Sequence, residues 1–69
     1  MLMRAELITI VGLSPAGAMK GQAGSVLEAI RVGRRLRLNG ARRVVVQQAE
    51  REWGLDYFER IHPTQAREA

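Results

Sequence analysis

The sequence predicts a small α/β domain, an α+β single domain spanning residues 1–69 in the order β-α-β-α with a two-stranded sheet per chain. Three observations carry that prediction: a β-branched apolar run ending at Leu13, a capped amphipathic stretch closing at Asn39-Gly40, and a second valine-rich run after which the period turns helical again. At 7.7 kDa the chain has room for one domain only.

The first element is the strand 7–13. Leu7-Ile8-Thr9-Ile10-Val11-Gly12-Leu13 is nearly all apolar, which suits a central strand covered on both faces. Residues 14–24 then hold Gly17, Gly21 and Gly24 among small side chains and read as a flexible glycine-rich loop. Ser14 and Pro15 allow one helical turn in it, with serine as cap and proline at the first helical position.

Ser25-Val26-Leu27-Glu28 is a capping box and opens the helix 25–39. Val26, Ala29, Ile30, Val32, Gly33 and Leu36 share one side of the wheel, while Glu28, Arg31, Arg34 and Arg35 lie opposite, so the outer face is basic. Gly40 supplies the residue that commonly follows a helix. Asn39-Gly40 is also a two-residue hairpin signal, and the alternation Arg35-Leu36-Arg37-Leu38 supports a rival, winged-helix-like arrangement with a basic β-hairpin at 35–46. Pairing argues against it, because Arg37 would face Arg42 and Leu36 would face Arg43. The continuous helix is the expectation.

Residues 42–48, Arg42-Arg43-Val44-Val45-Val46-Gln47-Gln48, form the second strand. Helix 50–62 follows, with Trp53, Tyr57, Phe58 and Ile61 on one side and Pro63 marking its end; Gly54 is a possible break, after which Asp56 and Glu59 make a second capping box. The tail 64–69 reads as frayed. If the two strands are parallel neighbours, the right-handed crossover rule lets both helices cover the sheet. Two strands make a weak sheet and there is no cysteine to staple it, so a homodimer is expected, extending the sheet across a two-fold axis or packing the aromatic faces of the last helices together.

Charge is the one chemically distinctive feature. Residues 1–30 are balanced, residues 44–69 carry three arginines against five acids, and the window 31–43 holds Arg31, Arg34, Arg35, Arg37, Arg42 and Arg43 with no acid. These six are the candidate nucleic-acid-binding residues, since a dense basic patch attracts phosphate or an acidic protein surface. The abundance of arginine over lysine, ten to one, also fits a GC-rich coding sequence, which leaves a merely solvated basic face as the bland alternative. Trp53, Tyr57 and Phe58 are the candidate partner-binding or core residues, with core packing favoured because the domain has no other aromatic bulk.

Enzyme chemistry finds little support. His62 is the only histidine and stands at a helix end, and with Ser14 and Ser25 as the only serines a nucleophile-base triad lacks its parts. Glu50, Glu52, Asp56 and Glu59 read as the solvated face of a helix rather than a metal site. Gly12-Leu13-Ser14-Pro15-Ala16-Gly17 after a strand matches half of a phosphate-binding loop, but Ala18-Met19 stand where it needs lysine and a hydroxyl. A helix-turn-helix fits poorly because its first helix would fall on the strand-like 7–11, and a ribbon-helix-helix fails on the eleven residues between strand and helix. No family resemblance carries functional residues onto this chain.

The expectations are therefore a non-enzymatic protein with no cofactor and no metal, cytoplasmic, with no membrane partner. It binds nucleic acid, DNA first, in a regulatory role. The alternative is a protein-protein interaction module, an adaptor or inhibitor, meeting an acidic or apolar partner surface.

Overall fold

The first strand, β1 (Ile8–Ser14), runs into a tight turn and returns as β2 (Gly17–Ala23), paired antiparallel from Ile8 opposite Ala23 to Ser14 opposite Gly17. This is a computed structural model, and it describes residues 7–69; residues 1–6, which the expectation of a 1–69 domain includes, lie outside the described residues. Ser14, Pro15 and Gly17 stand at the first, second and fourth positions of this two-residue turn, the places each favours in a type I turn. The Ser14 hydroxyl donates to the Gly17 carbonyl at 3.1 Å, and Gly17 takes φ +137°, so neither the helical turn nor the loop expected over 14–24 forms.

Helix α1 (Val26–Leu38) has the capped start that its sequence predicts. The Ser25 Oγ accepts from the Glu28 N–H at 3.1 Å, while the Glu28 carboxylate reaches one residue further back than a capping box requires and accepts from the Gly24 N–H at 2.8 Å. Its far end is a Schellman motif: Gly40 N–H donates to the Arg37 carbonyl, Ala41 N–H to the Leu36 carbonyl, and Gly40 lies at φ +109°. Ala41 and Leu36 are both buried, which is the apolar contact that accompanies this cap. Asn39-Gly40 thus ends a helix, and the rival hairpin over 35–46 is ruled out.

Strand β3 (Arg43–Gln48) follows and pairs with β1, antiparallel rather than parallel, with Ile10 opposite Val46 and Leu13 opposite Arg43. A two-residue turn at Ala49 and Glu50 then leads into β4 (Arg51–Gly54), where Val46 faces Trp53. Ala49 carries the turn at φ +56°, a conformation that glycine or asparagine usually supplies. Helix α2 (Leu55–Ile61) starts from Gly54 with no side-chain cap, so the second capping box at Asp56 is not used. Helix α3 (Pro63–Glu68) occupies the residues expected to fray, with proline in its first turn.

Among the described residues the sheet therefore has four strands in the order β2-β1-β3-β4, all antiparallel, in place of two. The helices lie on one face. Ile8, Ile10, Ala23, Val44 and Val46 pack against Ala29, Ile30, Leu36, Leu55 and Phe58 to form the core. Three glycines set the close approaches: Gly33 lets α2 meet α1, and Gly21 and Gly12 let α1 and its end meet the sheet. A Cβ at Gly33 would lie 2.8 Å from the Leu55 Cδ1, and one at Gly21 would lie 2.6 Å from the Val32 Cγ1. The small residues of β2 are what admits α1 above it.

Alternation along the strands sends Thr9, Val11, Leu13, Arg43, Val45 and Gln47 to the opposite face, which none of the described helices covers. Val45 lies on it, 7% exposed and not part of the buried cluster beneath the helices.

Candidate nucleic-acid interface

Helix α1 dictates where its arginines go. With Ala29, Ile30, Gly33 and Leu36 turned to the sheet, the 100° step carries Arg31 and Arg35 to the solvent side, one turn apart, and puts Arg34 and Arg37 on the flank facing α2. Arg31 and Arg35 are exposed, and so is Leu38, which at 87% is the most exposed of the large apolar side chains among the described residues.

Arg34 is bound inside the helix layer. Its Nε and Nη2 donate to the two Glu59 carboxylate oxygens, each at 3.1 Å, and Nη2 also donates to the Ala66 carbonyl at 2.9 Å. Ala66 offers one of the last four carbonyls of α3, which have no partner within the helix, so one guanidinium ties α1 to both later helices. The hydrogen bonds it donates to Glu59 raise the Arg34 pKa above the ordinary arginine range; burial opposes this and the carboxylate charge reinforces it. Because the folded-state pKa is raised, the resulting stabilisation is fully present below the ordinary arginine range and is lost only as pH rises through the shifted value. The link is constant at physiological pH.

Arg34 keeps 37% of its side-chain exposure and Glu59 22%, so solvent screening limits the worth of the pair. Arg34→Ala is expected to lower stability by about 1 kcal/mol in urea denaturation. Arg34→Lys should recover little of it, since an ammonium cannot make the two-pronged contact. A lysine variant as stable as the parent would show that charge alone holds the helices.

Arg37 donates through Nη2 to the Asp56 Oδ1 at 3.1 Å, but both groups are exposed and the contact is single. Arg42 is exposed in the connection before β3, where its backbone N–H donates to the Leu13 carbonyl at 2.8 Å. Arg43 is exposed too, on the sheet face away from the helices, beside Leu13. Among the described residues, Arg31, Arg35, Arg42 and Arg43 make no ion pair. The six arginines of the window thus divide three ways: two cross-link helices, three stand on or just after the solvent face of α1, and one lies on the other side of the sheet.

The aromatics divide as well. Phe58 is buried in the core with its ring centroid 5.5 Å from Trp53 and 4.7 Å from His62, Trp53 is half-buried, and Tyr57 is exposed. Gln47, Ala49, Glu50, Arg51 and Glu52 line a shallow hollow at the β3–β4 turn. It gathers carboxylates without histidine, serine or lysine. Among the described residues no three histidine, aspartate or glutamate side chains come together as a metal site, and no helix is long and apolar enough to cross a membrane.

Compared with protein-family models, with curated proteins and with solved structures, the chain matches none. The fold and the side chains themselves are what any functional reading rests on.

Proposed function

We propose that the protein is a small non-enzymatic nucleic-acid-binding module, with duplex DNA as its expected target, a regulatory use, and a phosphate-binding surface built from Arg31, Arg35 and Arg42. The observation that carries this reading is the pair Arg31 and Arg35, one turn apart on the solvent side of α1 and free of carboxylates among the described residues, with Arg42 following in the next connection. Guanidinium groups at that spacing suit successive phosphate oxygens, and such contacts position a protein on nucleic acid without reading sequence. Arg34 and Arg37 serve the helix layer instead, and Arg43 lies across the sheet.

Anisotropy titration on an unrelated DNA duplex between about 50 and 200 mM salt tests it. Three neutralised phosphates per subunit release condensed counterion and give a slope of log K against log salt of about −2.7. Arg31→Ala with Arg35→Ala should flatten that slope by about 1.8, while Arg43→Ala leaves it unchanged. No binding at the lower salt, or an unaltered slope in the double variant, overturns the reading.

A second reading, a module that meets an acidic protein surface, is favoured by one feature. Leu38 stands three and seven residues after Arg35 and Arg31, on the same side of α1 and almost fully exposed, so basic and apolar groups share one strip. Loss of partner capture on Leu38→Ser, with DNA titration negative, would select it.

A further inference from the structure

We propose that the face of the sheet opposite the described helices is a dimer interface that receives the same face of a second copy of this chain. The proposal is independent of the nucleic-acid reading. It starts from the two ends of β3. At one end the Gln47 Nε2 donates to the Glu52 Oε2 at 3.2 Å, which leaves the Gln47 carbonyl and the second Glu52 oxygen as acceptors side by side. At the other end, four residues away and about 13 Å along the strand, stands Arg43, exposed and without a carboxylate partner among the described residues. Midway lies Val45, paired directly with Val11 of β1.

The face therefore carries an acceptor corner and a donor at equal distances from an apolar centre. A two-fold axis running across the strands through the Val11–Val45 row exchanges the ends of β3. It sets the partner's Arg43 against Gln47 and Glu52, sets Arg43 against the same pair on the partner, and stacks valine on valine between them. The alternative axis, along the strands, lays Arg43 on the partner's Leu13 and brings the two Arg43 side chains to one end, where like charges repel. Charge selects the first. Lys20, beside Val11 on the edge strand β2, meets its own copy there and turns its ammonium outward to water. Two sheets packed face to face with their strands nearly aligned are an ordinary arrangement.

Area sets the strength. Strands about 4.8 Å apart, two of seven residues, one of six and one of four, offer roughly 400 Å² per subunit, half the usual 800 Å² of a stable complex, so a weak, concentration-dependent dimer is expected.

Sedimentation velocity on the full 69-residue chain from about 10 to 500 µM reads the outcome, with circular dichroism to confirm that each variant is folded. The parent should pass from monomer to dimer across that range. Arg43→Glu and Glu52→Arg should each weaken association about tenfold, because the two-fold repeats each change twice. Both substitutions in one chain should restore it to within about threefold of the parent. A chain that stays monomeric throughout overturns the proposal. So does a dimer indifferent to both reversals, which would place the contact at the free edge of β2. So does an Arg43→Glu variant that loses DNA affinity with self-association unchanged, which would give the face to nucleic acid. The Arg31 and Arg35 titration fails or succeeds separately from all three.

Discussion

Replacing Phe58 with alanine is expected to leave the chain unfolded at 25 °C. Phe58 is 1% exposed, among the largest fully buried side chains, and its ring lies between Trp53 of β4 and His62 at the end of α2. Truncating such a residue costs about 3–5 kcal/mol through lost transfer energy and the cavity left behind. A core of this size supplies only about 3–5 kcal/mol in all, so the variant keeps nothing in reserve. The fitting control is the adjacent Tyr57→Ala, on the same helix but 52% exposed, expected to cost less than about 1 kcal/mol. Thermal melts followed by circular dichroism separate the two. A cooperative Phe58→Ala transition within a few degrees of the parent would mean that α2 contributes little to folding.

The contrast between those neighbours also shows where sequence reading stops. Trp53, Tyr57, Phe58 and Ile61 share a helical period only if residues 50–62 are one helix, and that apparent stripe hid β4. Trp53 belongs to a strand and faces Val46, while Tyr57 turns to solvent. The second hairpin gave no local warning because its turn is Ala49-Glu50, with alanine in a left-handed conformation that alanine rarely signals. Strand β2 was hidden for the opposite reason. Its glycines and alanines have low strand propensity, and only packing beneath α1, where Gly21 meets Val32, makes them the right residues. One signal was available: Ser14-Pro15-Ala16-Gly17 is the composition of a type I turn, and reading it as such turns residues 14–24 from a loop into a hairpin. By contrast α1, β1 and β3 were legible, because the Ser25 cap, the Gly40 stop and the β-branched runs act within a few residues of themselves.

The basic window was legible as composition and not as geometry. Six arginines within thirteen residues are plain in the sequence, but the partner that ties Arg34 into the helix layer is Glu59, twenty-five residues away, and nothing local announces it. Nor does composition separate Arg42 from Arg43. Strand alternation does so once β3 is paired with β1, since Arg43 then shares a face with Leu13 and Val45.

The second large effect is expected at Gly12, where two opposing tendencies can be weighed. It sits mid-strand between Met19 and Val44, and its φ is ordinary, so strand propensity alone would make alanine or valine an improvement of up to about 1 kcal/mol. Sterics oppose this. A Cβ at Gly12 would lie 2.9 Å from the Ala41 Cβ and 3.2 Å from the Leu36 Cβ, atoms one bond from the backbone that cannot swing aside. Ala41 is held on both sides, by its own N–H bond to the Leu36 carbonyl at 3.0 Å and by the Arg42 N–H bond to the Leu13 carbonyl at 2.8 Å, so relief requires moving the end of α1 away from the sheet. Overpacking of that kind costs about 1–3 kcal/mol, which outweighs the propensity gain. Gly12→Ala should therefore lose about 1 kcal/mol and Gly12→Val about 3. Gly21→Ala should lose less than either, although its contact is shorter at 2.6 Å, because Gly21 lies on the edge strand β2 and meets only one methyl of the half-buried Val32 of α1. Urea midpoints at constant slope give the ranking. If Gly12→Ala proves as stable as the parent, the Schellman turn is softer than its hydrogen bonds imply, and the close approach of α1 to β1 is a consequence of packing rather than a constraint on it.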